Sequence, residues 1–226
     1  MTAAECSPHL HKRIGELAER AARAGAAASV FLTPAEQAEV EHLARSAAKN
    51  AGVEFSFFGG PHQSLDRRVA LFYSETETLD DVSCRFLSAV RIKASGYEQL
   101  SHGSYLGAIM ALGVERDAVG DIIITDDGAD VVCTPPIAAF LSAELTKVGR
   151  DTVSVAEIPL SELSAPNLKF TQIRDTVASC RLDCIVAALC NLSRTEAERK
   201  ILSGAVTLCY RECKERAEII KKLLLA

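Results

Sequence analysis

Residues 101–160 read SHGSYLGAIMALGVERDAVGDIIITDDGADVVCTPPIAAFLSAELTKVGRDTVSVAEIPL. In "SHGSYLGAIMALG" a helix pattern stands between Ser101, placed to cap it, and Gly113, placed to stop it. "DIIIT" and "ADVVCT" are apolar runs on either side of "DDG", a hairpin turn signal. "PPIAAFLSAELTKVG" carries its prolines where a helix tolerates them, in the first turn. "DTVSVAEIPL" is a closing strand. Just upstream, "VSCRFLSAVRIKA" (82–94) reads as a long strand, with Phe86 and Val90 among its inward candidates. The order is then β-α-β-β-α-β, the ferredoxin-like arrangement of helices on an antiparallel sheet. Many RNA-binding domains use it, as do many unrelated proteins. The basic-Gly-aromatic fingerprint of the common RNA-recognition domain is absent, and neither hairpin strand offers an aromatic platform for base stacking.

Upstream of this block two helices are expected. In "SPHLHKRIGELAERAARAG" Ser7 can cap and Pro8 suits the first helical position. Leu10, Ile14, Leu17, Ala18 and Ala21 share one face, and Gly25 ends the helix. In "TPAEQAEVEHLARSAAKNAG" Thr33 and Glu36 form a capping box, with Val40, Leu43, Ala44 and Ala47 as the buried stripe. "VEFSFFGGP" and "RRVALFYSE" read as two partner strands joined by a Gly-Gly-Pro turn. "SELSAPNLKF" is the linker candidate. The expected fold class is α+β. Its parts are a small N-terminal α/β domain (1–78), a ferredoxin-like middle domain (79–162) and a third domain (170–226).

The chain has 226 residues and a net charge of -5. Hydrophobic residues at 48% and charged residues at 24% describe a globular protein rather than a disordered one. Trp is absent and aromatics are 5%, so aliphatic side chains must fill the core. The first residues contain no apolar signal region, and no run approaches the ~18 residues of a membrane span. A cytoplasmic protein without membrane contact is expected. Eight cysteines stand at 6, 84, 133, 180, 184, 190, 209 and 213, in C-x3-C or wider spacings. They read as small core residues kept reduced. A metal site from Cys180, Cys184, Cys209 and Cys213 is the alternative, though zinc sites favour tighter pairs.

Charge is uneven along the chain. From Phe170 onward ten Lys and Arg stand against seven Asp and Glu, a net of +3. The first 169 residues hold the other fifteen and twenty-three, a net of -8. The total argues against a nucleic-acid partner, while the distribution admits one at the C-terminal end.

That end holds "RLDCIVAALCNLSRTEAERKILSGAVTL" (181–208). Leu182, Ile185, Val186 and Leu189 follow helical spacing, with Ser179 as the candidate cap and Arg181 in the first turn. Asn191-Leu192 turns the chain. Ser193 and Glu196 form a second capping box, Arg194 takes the first helical position, and Gly204 stops that helix. Val206, Leu208 and Tyr210 share one face of the next strand. Each helix start has unpaired N–H groups and a partial positive charge. An arginine there opposes the helix dipole unless a phosphate binds, when amides and guanidinium share one anion. The plainer alternative is that Arg181 and Arg194 are solvated surface residues.

"VASCRLDCIVAALCNLSRTEAERKILSGAVTL" resembles the S-four-type (alpha-L) RNA-binding domain. The matching pieces are Arg181-Leu182-Asp183, Ser193-Arg194, Ala197, Ile201 and Gly204 before a valine strand. "FLTPAEQAEVEHLA", "FFGG" and "SHGSYLGAIMALGVERDAVGDI" precede it in the order found in the bacterial YlmH family, over about residues 8–208. The resemblance implies an RNA-binding protein without catalysis, with an N-terminal domain, a ferredoxin-like middle domain and a C-terminal S-four domain. It implies partners in the large ribosomal subunit, rRNA and tRNA, and a role in rescue of stalled ribosomes. A link to cell division attaches to the same family. By this analogy the RNA-binding candidates are Arg181, Ser193, Arg194, Arg199, Lys200, Arg211 and Lys214. In the middle domain His102 and Tyr105 match the family motif, and a cap or a packed histidine is the plainer role for His102.

Three departures accompany the match. Gly103 stands where the family has a basic residue. The loop after "FFGG" reads "PHQSLDRR". The family continues past the last strand into a hairpin with Gly-Asp and Arg-Gly-x-Gly-like sequences, whereas here "CYRECKERAEIIKKLLLA" follows. That tail reads as a helix with a stripe of Ile219, Ile220, Leu223 and Leu224, so the S-four domain is either incomplete or rebuilt. No catalytic residues, cofactor, metal or small-molecule substrate are expected. Ser101-His102 adjacency is no triad, "DDGAD" (126–130) lacks the distal Glu of an EF-hand, and no phosphate-binding glycine loop occurs. A protein-interaction module whose S-four domain no longer binds RNA is the second functional expectation, supported by the acidic body and the leucine-rich tail.

Overall fold

The computed structural model describes residues 8–96, 100–167, 173–208, 211–213 and 215–220. The first helix, α1, spans Pro8–Ala24, and its stripe of Ile14, Leu17, Ala18 and Ala21 is buried. Ser7, its expected cap, lies outside the described residues. Helix α2 (Pro34–Ala51) begins at the expected capping box, the Thr33 N–H donating to Glu36 Oε2 at 2.7 Å and the Glu36 N–H to the Thr33 hydroxyl at 3.3 Å. Between the helices runs β1 (Ala26–Ala28). It pairs with β3 (Val69–Tyr73), which also pairs with β2 (Glu54–Phe58), so the small sheet has the order β1-β3-β2.

The long strand expected over 82–94 is divided. Leu79–Phe86 form a helix, α3, and only Ser88–Ala94 form the strand β4. The cause is a cap upstream of the stretch. The Asp81 N–H donates to Thr78 Oγ1 at 3.2 Å, and Asp80 and Asp81 sit in the first turn, where carboxylates favour the helix start. Phe86 therefore ends a helix, while Val90 is buried in the sheet as expected.

The remaining elements follow the expected order. Helix α4 is His102–Ala111, with Ser101 and Ser104 in a reciprocal cap. A 3₁₀ turn at Arg116–Ala118 leads to β5 (Val119–Ile124), then β6 (Gly128–Cys133), α5 (Pro135–Glu144), β7 (Lys147–Val148) and β8 (Asp151–Ile158). The sheet has the order β5-β6-β4-β8-β7, and each pair is antiparallel. Without the short edge strand β7 this is the ferredoxin-like arrangement, and the chain is α+β.

Strand periodicity then sets the layers. In β3, Ala70 and Phe72 face α1 and α2, joined by Ile14, Val40 and Ala44. Val69, Leu71 and Tyr73 point the other way, into a core shared with Ala89 of β4, Ile123 of β5 and Val132 of β6. The opposite face of the larger sheet, with Val90, Ile92 and Val131, packs on Tyr105 and Ile109 of α4 and Ala138 and Leu141 of α5. The helix-free face of the ferredoxin-like sheet is thus covered by the N-terminal sheet.

Arg91 and Asp130, opposite each other on β4 and β6, form a two-bond pair, both bonds 2.8 Å, with Asp130 fully buried. Arg91 also donates to the Glu162 carbonyl, and the Ser164 N–H donates to Asp130. Burial alone would push the Asp130 carboxyl up, but the bonds from Arg91 and Ser164 hold it below its ordinary value. Arg91→Ala leaves that carboxylate buried without a counter-charge, with the Ser164 N–H as its remaining donor, and should cost about 3 kcal/mol at neutral pH. The contribution is present above the ordinary carboxylate range, near pH 4, and is lost as pH falls through the lower folded value. Denaturant midpoints of the two proteins should therefore converge in acid.

The described residues fall into two compact units that divide at 167/168. In the second, α6 (Leu182–Cys190) and α7 (Arg194–Leu202) precede a hairpin of β9 (Thr207–Leu208) and β10 (Arg211–Glu212). Leu182, Val186, Ala197, Ile201 and Ile220 form its small core. The expected helical tail is not found among the described residues. Residues 216–220 run beside the start of α6, with Ile219 bridging Arg181 and the Ile220 N–H donating to the Cys180 carbonyl at 2.9 Å. Leu223, Leu224 and Tyr210 lie outside the described residues.

Candidate nucleic-acid interface

Helix α6 has no side-chain cap. Arg181 itself occupies the cap position, two residues after the expected cap Ser179, whose hydroxyl meets Cys184 Sγ at 3.5 Å instead. The first two amides of α6 are already bonded. Leu182 N–H donates to the Glu218 carbonyl at 2.8 Å and Asp183 N–H to the Arg216 carbonyl at 3.2 Å. This corrects the expected amide cradle at α6, because the closing segment takes those donors.

Asp183, fully buried on the second position of α6, gathers the arginines instead. Arg181 reaches it through Nε and Nη2 at 3.0 and 2.9 Å, and Arg194, the first residue of α7, through Nε at 3.0 Å. Bonding to Arg181 first, and then to Arg194, holds the Asp183 carboxyl well below the usual carboxylate range. The two helix starts therefore do meet, on a buried carboxylate. One negative charge against two positive ones leaves a net of +1. A guanidinium has five N–H donors. Arg181 keeps Nη1, and Arg194 keeps both Nη groups, for an external acceptor. Their side chains are 34% and 56% exposed, so those donors reach solvent.

The start of α7 is built as expected. The Glu196 N–H donates to the Ser193 hydroxyl at 3.3 Å, and Ser193 donates its N–H and hydroxyl to Glu196 Oε2 at 3.0 and 2.6 Å. Ser193 is thus engaged as a cap. Arg199 and Lys200, in the last turn of α7, are exposed and have no ion-pair partner among the described residues. Arg211 is placed by its backbone in β10, and Lys214 lies outside the described residues.

Asp183 was legible as a motif residue but not as the anchor. The available signal is its position: it lies three residues before Val186, on the buried side of a short helix, two residues after an arginine. Leu189, expected on the buried face, is 42% exposed.

In the middle domain His102 is exposed at the first position of α4, and Tyr105 is buried in the core under the sheet. Cys180, Cys184 and Cys213 are free thiols, Cys209 lies outside the described residues, and no cluster of three metal-ligating side chains occurs among those described. No helix among them is long and apolar enough to cross a membrane.

Comparison with known proteins bears on both units. Residues 87–162 match a family model described as "Putative RNA-binding domain in YlmH". The chain is 28% identical over 191 residues to the ribosome-associated protein quality control protein P2 of Bacillus subtilis (strain 168), covering 84% of this chain and 72% of the relative. Its fold is similar to that of the cell division protein ylmH from Streptococcus pneumoniae, with a TM-score of 0.55 and 20% identity over 73% of this chain and 99% of the other. The resemblance to the YlmH family read from the sequence is borne out.

Proposed function

We propose that this YlmH-like chain is a non-catalytic RNA-binding protein of the cytoplasm that acts on the ribosome. Its targets would be rRNA of the large subunit and tRNA held there, in rescue and quality control of stalled translation. The observation that carries the proposal is the pair of arginines held at the two helix starts of the second unit. Arg181 and Arg194 are fixed by one buried carboxylate with donors to spare, and the last turn of α7 adds the exposed Arg199 and Lys200. Guanidinium groups held in fixed orientation suit phosphate oxygens, and phosphate contacts supply most of the affinity of such proteins. Arg211 and Lys214 belong to the same proposed face by analogy with the S-four domain. The division into 1–78, 79–162 and 170–226 is proposed with it.

Arg199→Glu with Lys200→Glu tests the proposal, since both residues are exposed and the change spares the small core. Co-sedimentation with purified large ribosomal subunits should fall by about tenfold or more. Unchanged co-sedimentation would favour the second reading, a protein-interaction module. Leu189, Leu202 and Ile219, which are 42%, 57% and 65% exposed on this unit, support that reading.

A further inference from the structure

The first unit carries its own cationic feature. Arg13, Glu16, Arg20 and Arg23 recur on α1 at helical spacing, so they share one face. That face lines a concavity of about 540 Å³, closed on its other sides by residues 28–30, Asp117, Ala118 and Thr134. All three arginines are exposed, and neither Arg13 nor Arg20 has an ion-pair partner among the described residues. Arg23 lies 4.0 Å from the exposed Glu19, and Glu16 lies 3.8 Å from the exposed Lys12. Asp117 is the other carboxylate facing the space. The Thr134 hydroxyl makes no cap bond. The next two residues of α5 are prolines without N–H groups, so the donors here are guanidinium groups and a hydroxyl, not helix amides.

We infer that this groove is a second RNA-backbone site, resting on the reading above that the chain binds RNA. Ten residues separate Arg13 from Arg23, a span of roughly 15 Å at the helical rise of 1.5 Å per residue. A single phosphate cannot bridge that distance, whereas a run of phosphodiesters can. An acidic protein partner fits less well, because the groove has no exposed aromatic or large apolar anchor of the kind that centres protein interfaces. The usual alternative surface, the open face of the ferredoxin-like sheet, is filled by the N-terminal sheet. RNA reaching this unit must bind at another surface, and the acidic charge of the first 169 residues directs a polyanion to the one arginine row on α1.

The test is ultraviolet crosslinking of the full chain to deproteinised large-subunit ribosomal RNA, with the crosslinked peptides mapped. The groove predicts crosslinks within residues 8–31 or 116–134. Arg13→Glu with Arg20→Glu should reduce them by at least about fivefold, and the corresponding lysine substitutions should retain them. Both positions lie off the buried stripe of α1, so the fold should persist, and circular dichroism checks that it does. Crosslinks confined to residues 173–220 would overturn the groove and leave the proposed function standing. Crosslinks at the groove alone would support it and overturn the C-terminal site. No crosslinks anywhere, or groove crosslinks undiminished by the glutamates, would overturn the inference.

Discussion

Asp183→Asn is expected to weaken binding of large-subunit ribosomal RNA by about tenfold, although it removes a negative charge from a basic face. Simple electrostatics predicts the opposite sign. The difference arises because the carboxylate aims two guanidinium groups, Arg181 by two bonds and Arg194 by one. Without it each long side chain regains its rotamer freedom, and the ordering must be supplied on binding. The same change should destabilise the second unit by about 2 kcal/mol, discounted from the cost of breaking a fully enclosed pair because both arginines reach solvent. Asp183 is held below its ordinary value, so its stabilising contribution is present above about pH 4 and is lost as pH falls through the folded value. Equilibrium titration with deproteinised RNA and thermal melts across pH measure both effects. Tighter RNA binding by the Asn variant would show that the carboxylate merely opposes the phosphates.

The ferredoxin-like order was legible because its signals are local. The Ser101 cap, the turn between β5 and β6 and the prolines of α5 each act within a few residues. The α3 segment was not, because "VSCRFL" fits both periodicities and the deciding cap, Thr78 with Asp81, precedes it. Strand β1 is three alanines and exists because β3 is there to pair with it. The described part of the tail departs from the helical reading for the same kind of reason. Ile219 and Ile220 sit at helical spacing with later leucines, yet their backbone is held by Cys180 and Arg181 from the other end of the unit. At the site, the box of Ser193 and Glu196 could be read directly. The bond from Arg194 to Asp183 spans eleven residues, and no periodicity says which side chain a buried carboxylate will meet.

Gly128→Ala should be among the most damaging single substitutions in the first unit, at about 3 kcal/mol. Gly128 opens β6 opposite Lys93 of β4, and a methyl group there would overlap the carbonyl oxygen of Ile92. That obstacle is backbone in the middle strand of the sheet, so no side chain can rotate to relieve it. Gly107→Ala is the matched control. It lies exposed inside α4, nothing stands within 4 Å of an added methyl, and helix preference should stabilise the protein by roughly 0.5–1 kcal/mol. Chemical denaturation of the two variants should move in opposite directions. A Gly128→Ala protein as stable as the parent would mean that the β4–β6 pairing is looser than described.

The proposed RNA-binding role of the second unit is tested most directly by the salt dependence of binding to deproteinised large-subunit ribosomal RNA. For the parent chain the logarithm of the affinity should fall linearly with the logarithm of salt concentration, with a slope of at least about -3. Arg199→Ala with Lys200→Ala should make that slope shallower by roughly 1.5, as two phosphate contacts are lost. An affinity indifferent to salt, or a slope the two alanines leave unchanged, would contradict it.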